Sequence, residues 1–153
     1  MNPRVVIGAT GGLVLAAVGW SILQKERVLA EGTRVRLELN TSDPRSLMQG
    51  DYMTLRYALS RDIDAQTGEG VVGLTLDDHD VATRAAGLGE ARMVYRVRGR
   101  GRDVRLGTDG FFFEEGRAGA YATARYAEFR VDAAGESVLV GLLDERFSRL
   151  GAP

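Results

Sequence analysis

The spacing of hydrophobic positions along the chain changes once, sharply, near residue 24. From Val5 to Leu23 no residue is charged, and a helix needs only about 20 predominantly apolar residues to cross the hydrocarbon core of a bilayer. Gln24-Lys25-Glu26-Arg27 ends that run. Beyond it the period drops to two. Thr33 to Leu39 alternates with Val35, Leu37 and Leu39 on one side, which predicts a strand with one buried face. Residues 52–59 repeat the pattern, with Met53, Leu55, Tyr57 and Leu59 on one face and Tyr52, Thr54, Arg56 and Ala58 on the other. Further strands are predicted over 71–76, 81–85, 91–98, 103–106, 126–131 and 137–143. They are separated by turn chemistry such as Asn40-Thr41-Ser42-Asp43-Pro44, the polar loop 62–70 and Asp132-Ala133-Ala134-Gly135. The strand at 137–143 is apolar on both faces, which predicts a central place in its sheet. A short helix is predicted over the alanine-rich 118–124, against the preference of Gly119.

Many short strands with polar turns and little helix predict a mainly β chain. The expectation is a small antiparallel sandwich or barrel-like domain, residues 28–153, after one N-terminal transmembrane helix within residues 1–27. Glycines at 8, 11, 12 and 19 suit a membrane helix that packs closely on a neighbour, and Gly8-x-x-x-Gly12 is a weak pairing motif. Trp20 falls where an indole favours the headgroup region. A cleaved signal peptide is the competing reading, since Arg4 precedes the apolar run; the length of the run and the lack of a small-x-small site before Lys25 favour a retained anchor. Arg4 on one side and Lys25 and Arg27 on the other leave the positive-inside rule divided.

Composition narrows the chemistry. The 153 residues carry a net charge of -1, without the basic excess that a phosphate-binding surface requires, so nucleic acid is not an expected partner. With no cysteine, disulfides, thiolate metal sites and cysteine nucleophiles are excluded. Lys25 is the only lysine and His79 the only histidine.

The candidate binding residues centre on Gly50-Asp51-Tyr52-Met53-Thr54-Leu55-Arg56-Tyr57. Tyr52, Thr54 and Arg56 present an aromatic ring, a hydroxyl and a guanidinium along one strand face, with Arg45 and Asp51 close in sequence; such a set can bind an anionic group or a polar peptide segment. The structural alternative is that Asp and Arg pair to fix the turn while Tyr52 packs on a neighbouring strand. Three consecutive aromatics, Phe111, Phe112 and Phe113, cannot all face one side of a strand, so at least one reaches a second layer, another subunit or the membrane surface. Aromatic and arginine side chains are enriched in interface cores, which makes these residues contact candidates. Asp77 and His79 are weak candidates for a divalent metal, but Asp77-Asp78-His79-Asp80 lacks the spacing of a calcium loop and reads as a hairpin turn. Neither a metal nor a cofactor is expected. Glu114 and Glu115, adjacent on a strand, point to opposite faces, so only one can join a given site; the other role for such a glutamate is an ion pair with Arg117 or Arg125.

The G-D-Y-x-x-L-x-Y signature resembles that of the GDYXXLXY proteins. Asp43-Pro44-Arg45-Ser46-Leu47, Phe112-Phe113-Glu114-Glu115-Gly116 and Ala124-Arg125-Tyr126 are similar to that family's other blocks. The resemblance implies a single bacterial inner-membrane segment, an extracytoplasmic β-rich domain and an integral membrane partner, and it implies no particular activity. The expected function is therefore docking in the envelope, as a subunit or accessory of a membrane protein complex. A hydrolase distantly similar to a signal peptidase, with Ser42 or Ser46 as nucleophile, is the alternative. It lacks a base, since Lys25 lies at the membrane edge and nothing in the sequence brings His79 near either serine.

Overall fold

The computed structural model describes residues 3–40, 48–49, 52–63, 68–98 and 103–151, without the side chains of 3–6, 9, 48–49 and 98. A single long helix, α1 (Pro3–Glu31), opens the chain. Its large apolar side chains, among them Ile7, Leu13, Leu15, Val18, Trp20 and Ile22, stand exposed, and Val28 is the one buried where the helix meets the domain. Among the described residues no helix is long and apolar enough to cross a membrane. A span counted from Thr10 already takes in Lys25, Glu26 and Arg27.

Helix passes to sheet through Gly32 alone. The Gly32 N–H donates to the Val28 carbonyl at 2.9 Å, and the Gly32 carbonyl accepts from the Arg130 guanidinium at 3.1 Å. A Cβ at this position would come within 2.3 Å of the Val28 oxygen and 3.0 Å of the Val131 nitrogen. Lys25 adds an ion pair to Glu136 at 3.5 Å.

Ten strands follow: β1 (Thr33–Glu38), β2 (Met48–Gln49), β3 (Tyr52–Thr54), β4 (Gly68–Leu76), β5 (Ala82–Arg84), β6 (Ala91–Arg98), β7 (Asp103–Leu106), β8 (Gly110–Phe112), β9 (Tyr126–Val131) and β10 (Ser137–Leu143). They pair antiparallel into three sheets, ordered β1-β9-β10, β2-β3-β8 and β5-β4-β6-β7. Single bridges join the sheets, Arg36 to Val81 and Leu39 to Tyr57, and curl them towards a half-barrel. The mainly β, antiparallel expectation holds. Inside the curl lie Val35, Leu37, Leu74, Met93, Leu106, Phe129 and Leu142, all fully buried. Among the described residues no polar side chain is buried without a hydrogen bond.

One turn is used three times. Asp77, Asp132 and Asp144 each accept, through Oδ1, the N–H groups two and four residues on, at 2.8 to 2.9 Å. Each also donates its own N–H to the carbonyl four residues on, at 2.9 to 3.1 Å. The fourth residue of each turn takes the left-handed conformation: Asp80, Gly135 and Phe147 have φ of 61°, 92° and 61°. Phe147 is an unusual occupant of that region. Its ring is held by His79 at 5.1 Å, by Tyr126 at 4.8 Å and by the Arg36 guanidinium at 4.9 Å.

Four expectations change. The alternation at 52–59 is as predicted, but only Tyr52–Thr54 is strand; the chain then bridges Leu39 through Tyr57 and tightens into a 3-10 turn, Ala58–Arg61. Strand β4 starts at Gly68, inside the predicted loop. The helix over 118–124 is a single 3-10 turn, Ala118–Tyr121. And β10 is an edge strand, not a central one. Its apolar residues are covered by α1 and by the returning C-terminal turn, where the Leu150 N–H donates to the Leu142 carbonyl and Leu143 bridges Arg149.

Two outcomes follow from the aspartate turns. Asp132→Ala removes two side-chain hydrogen bonds and should lower stability by about 1–3 kcal/mol, measured by denaturant unfolding of the full chain in detergent. Backbone N–H donation from Val81 and His79 holds the Asp77 carboxyl below its ordinary value. Its contribution is therefore present above the unfolded value of about 3.9 and is lost as pH falls through the lower folded one. The stability deficit of Asp77→Asn should accordingly shrink in acid, below about pH 4.

Candidate functional site

Strand β3 carries the central candidates. Its register with β8 sets Tyr52 opposite Phe112, Met53 opposite Phe111 and Thr54 opposite Gly110. Cross-strand partners share a face, so Tyr52, Thr54 and Phe112 look outward while Met53 and Phe111 look into the core. The Tyr52 and Phe112 rings lie 5.8 Å apart, and Phe112 is 78% exposed. Phe111 and Phe113 turn the other way, half-buried against Tyr121 at 5.0 and 5.3 Å. Of the three consecutive aromatics, only Phe112 stands out from the surface. Arg45 and Asp51 lie outside the described residues, as do Ser42 and Ser46 of the hydrolase reading.

Thr54 and Arg56 open onto a cleft of about 670 Å³. One wall is residues 54–57 with the 3-10 turn that follows; the other is β7 with Asp109. Arg105 is ion-paired to Asp103 at 3.1 Å and to Asp109. Arg56 and Arg61 are exposed and make no ion pair with a described residue. The floor is apolar, with Leu55, Ile63 and Leu106 buried.

Tyr57 sits beneath this cleft. It is 4% exposed, its hydroxyl donates to the Thr108 carbonyl at 2.6 Å, and its ring meets Phe129 edge-on at 5.9 Å. Burial pushes its phenol far above the ordinary tyrosine range.

The remaining candidates are dispersed. Both bonds to Asp77 Oδ1 come from backbone, and His79 stacks on Phe147 while its carbonyl accepts from Arg36 at 2.8 Å. Among the described residues no group of three or more His, Cys, Asp or Glu is placed to hold a metal ion. Glu114 pairs with Arg117 at 3.8 Å, both exposed. Lys25 is engaged by Glu136 at the helix joint. Asp103, Arg105 and Asp109 were not legible as cleft residues, because they are distant in sequence from residue 56 and are set across from it by tertiary contacts such as the Leu55 N–H bond to the Asp109 carbonyl and the pairing of β3 with β8.

A family model of the GDYXXLXY proteins matches residues 14–142. The chain belongs to the GDYXXLXY family. No curated protein and no solved structure matches it. Within the GDYXXLXY signature, the leucine and the final tyrosine build the fold. Leu55 is buried and its N–H donates to the Asp109 carbonyl at 2.9 Å; Tyr57 closes the bridge to Leu39. The first tyrosine and the intervening Thr54 and Arg56 are what the signature leaves facing outward or into the cleft.

Tyr57→Phe keeps the ring and deletes one hydrogen bond, so it should destabilise the chain by about 0.5–1.5 kcal/mol at pH 7. Because the folded phenol is raised, the parent's advantage is complete below the unfolded value of about 10 and declines as pH rises beyond it, where the unfolded chain ionises first. Urea unfolding of both proteins between pH 7 and 11 should show the gap narrowing at the alkaline end.

Proposed function

We propose that this protein is a single-pass, membrane-anchored binding module whose β-rich domain lies outside the cytoplasm and docks on an integral membrane protein. The observation that carries the docking reading is the outward aromatic pair Tyr52 and Phe112, with Arg56, whose side chain makes no ion pair with a described residue, further along the same segment. Aromatic and arginine side chains are enriched at interface centres, and Phe112, 78% exposed, adjoins a second exposed ring at Tyr52 and does not stand alone.

The anchor is part of the proposal. Support comes from α1, whose exposed apolar side chains leave no polar face over most of its length; a helix apolar on all sides needs an apolar surround. Read on the sequence, the uncharged run extends back to Val5 and completes the length that the stretch from Thr10 lacks. Trp20 and the charged 25–27 then fall at the interface.

Purification of the tagged full-length protein in nanodiscs at native expression, followed by mass spectrometry, tests the docking. A stoichiometric multi-spanning partner is expected. Phe112→Ala alters an exposed side chain, so stability should change by no more than about 0.5 kcal/mol, while truncation of an interface anchor costs about 2 kcal/mol or more, near a thirtyfold loss of affinity. Recovery of the partner at parental levels by Phe112→Ala and by Tyr52→Ala with Arg56→Ala would remove this face from the docking reading. Protease added to spheroplasts should digest the domain; full protection would reverse the orientation.

A further inference from the structure

Leu88 is 68% exposed and Val71 52% exposed, and the fold brings them to one place. On β4, Val72 and Leu74 are buried, so Val71, Gly73 and Thr75 face outward. The segment 85–90 doubles back over that outward face. The Ala85 N–H donates to the Gly73 carbonyl and the Glu90 N–H to the Leu74 carbonyl, both at 2.9 Å, and Gly89, at a φ of 62°, bridges Leu74. A Cβ on Gly73 would run into the Gly87 carbonyl oxygen and the Leu88 backbone. The chain at 87–88 therefore lies flat on the glycine, and Leu88 is carried by a pinned loop. Val71 stands about 7 Å from Gly73 on the same face. Two aliphatic side chains on one fixed outer surface are not the scattered single residues that need no account.

The place of this patch in the fold indicates what covers it. Gly73 pairs with Arg92 near the start of β6, and the Val94 N–H donates at 3.0 Å to the carbonyl of Gly135, in the turn after β9. The next residue, Glu136, holds Lys25 at 3.5 Å. A cavity of about 950 Å³ has α1 from Gln24 to Glu31 as one wall, and Glu90 to Arg92 with the turn after β9 as the other. The loop that carries Leu88 thus enters β6 beside residues 24–31, where the uncharged run of α1 has just ended. Charge does not select an occupant here. Glu90 and Arg92 have opposite signs, and Glu69 further along β4 is paired with Arg96 at 2.9 Å, so what remains to be covered is aliphatic.

We infer that Leu88 and Val71 form a second membrane contact: the loop 85–90 lies down on the bilayer that holds α1, with these side chains among the acyl chains and no requirement for anionic lipid. This rests on the membrane-anchored reading and deepens it, since it states which face of the domain meets the layer.

The chain has no cysteine and a single tryptophan, Trp20, so two sites can be read independently in the full-length protein. Leu88→Cys, labelled with an environment-sensitive dye in nanodiscs whose lipids carry acyl-chain nitroxides, should emit to the blue of the dye in water and lose most of its emission to the nitroxide. The loss should be the same in zwitterionic and anionic discs. The dye on Glu69→Cys, on the same face but about 13 Å from Gly73 along β4, should keep its emission. With the dye on Val71→Cys, adding Leu88→Asp should restore the emission seen in water; these positions are exposed, so melting temperatures should stay parental. An unquenched dye at 88, equal quenching at 69, quenching confined to anionic discs, or a dye at 71 indifferent to Leu88→Asp overturns the proposal. Quenching of Trp20 in the unlabelled chain reports the anchor alone. Trp20 quenched with the dye at 88 unquenched removes this contact and leaves the anchor, whereas neither quenched removes both.

Discussion

The buried phenol of Tyr57 is the contact on which the arrangement of the sheets depends. Its backbone bridges Leu39 at the end of β1, its ring packs edge-on to Phe129 of β9, and its hydroxyl reaches the Thr108 carbonyl between β7 and β8. The residue therefore ties the sheet β1-β9-β10 to the turn that links β7 of one neighbouring sheet with β8 of the other. A hydroxyl in an apolar interior is tolerable only when its bond is made, so the turn at Thr108 has to lie where the hydroxyl can reach it. That requirement brings Asp109 and β7 across from residues 54–57 and so creates the cleft. The walls of the candidate site are a by-product of satisfying a core group.

The rest of the domain is held by repetition of one local device. The aspartate turns at 77, 132 and 144 close β4 onto β5, β9 onto β10, and the C-terminal segment back onto β10. Each uses a carboxylate to satisfy amides that a five-residue reversal would leave unpaired. Around His79, Asp77 is occupied by backbone and Asp80 by Arg34, and among the described residues no ligand set for a metal is gathered there. Glycine suits the left-handed position of such a turn; at Phe147 the preference is overridden by the rings and guanidinium packed around it. These three aspartates are structural, whereas Arg56 and Arg61 make no ion pair with a described residue.

Much of the fold was legible because period-two alternation depends on single residues facing one way or the other. Val35, Leu37, Leu39, Met53, Leu55 and Tyr57 are all buried as their spacing implied. Pairing position was less legible. The apolar residues of β10 indicate that both faces are covered but not by what, and a helix with a C-terminal turn covers an edge strand as well as flanking strands would. The exposed aromatic pair was half visible: three adjacent phenylalanines required one to point away, but only the register of β3 with β8 set Phe112 beside Tyr52. The cleft was not visible at all. Arg56 and Arg105 are far apart in the chain, and no local pattern records that they meet.

The single-residue joint at Gly32 has a mechanical meaning for any chain whose helix is fixed in a layer. Helix runs into strand without a linker, its turn is closed by the Val28 and Arg130 bonds, and Lys25 braces the approach against Glu136. A tethered domain on a flexible stalk samples a hemisphere and meets partners at any height; reach grows with linker length. Here the reach is near zero. A domain joined in this way to a helix held in a layer would present its sheets at one height and one tilt, so its effective concentration would be high only for a partner whose matching surface sat at the same level, and close to nothing for anything that projected further. Selectivity of that kind would come from altitude before it came from chemistry.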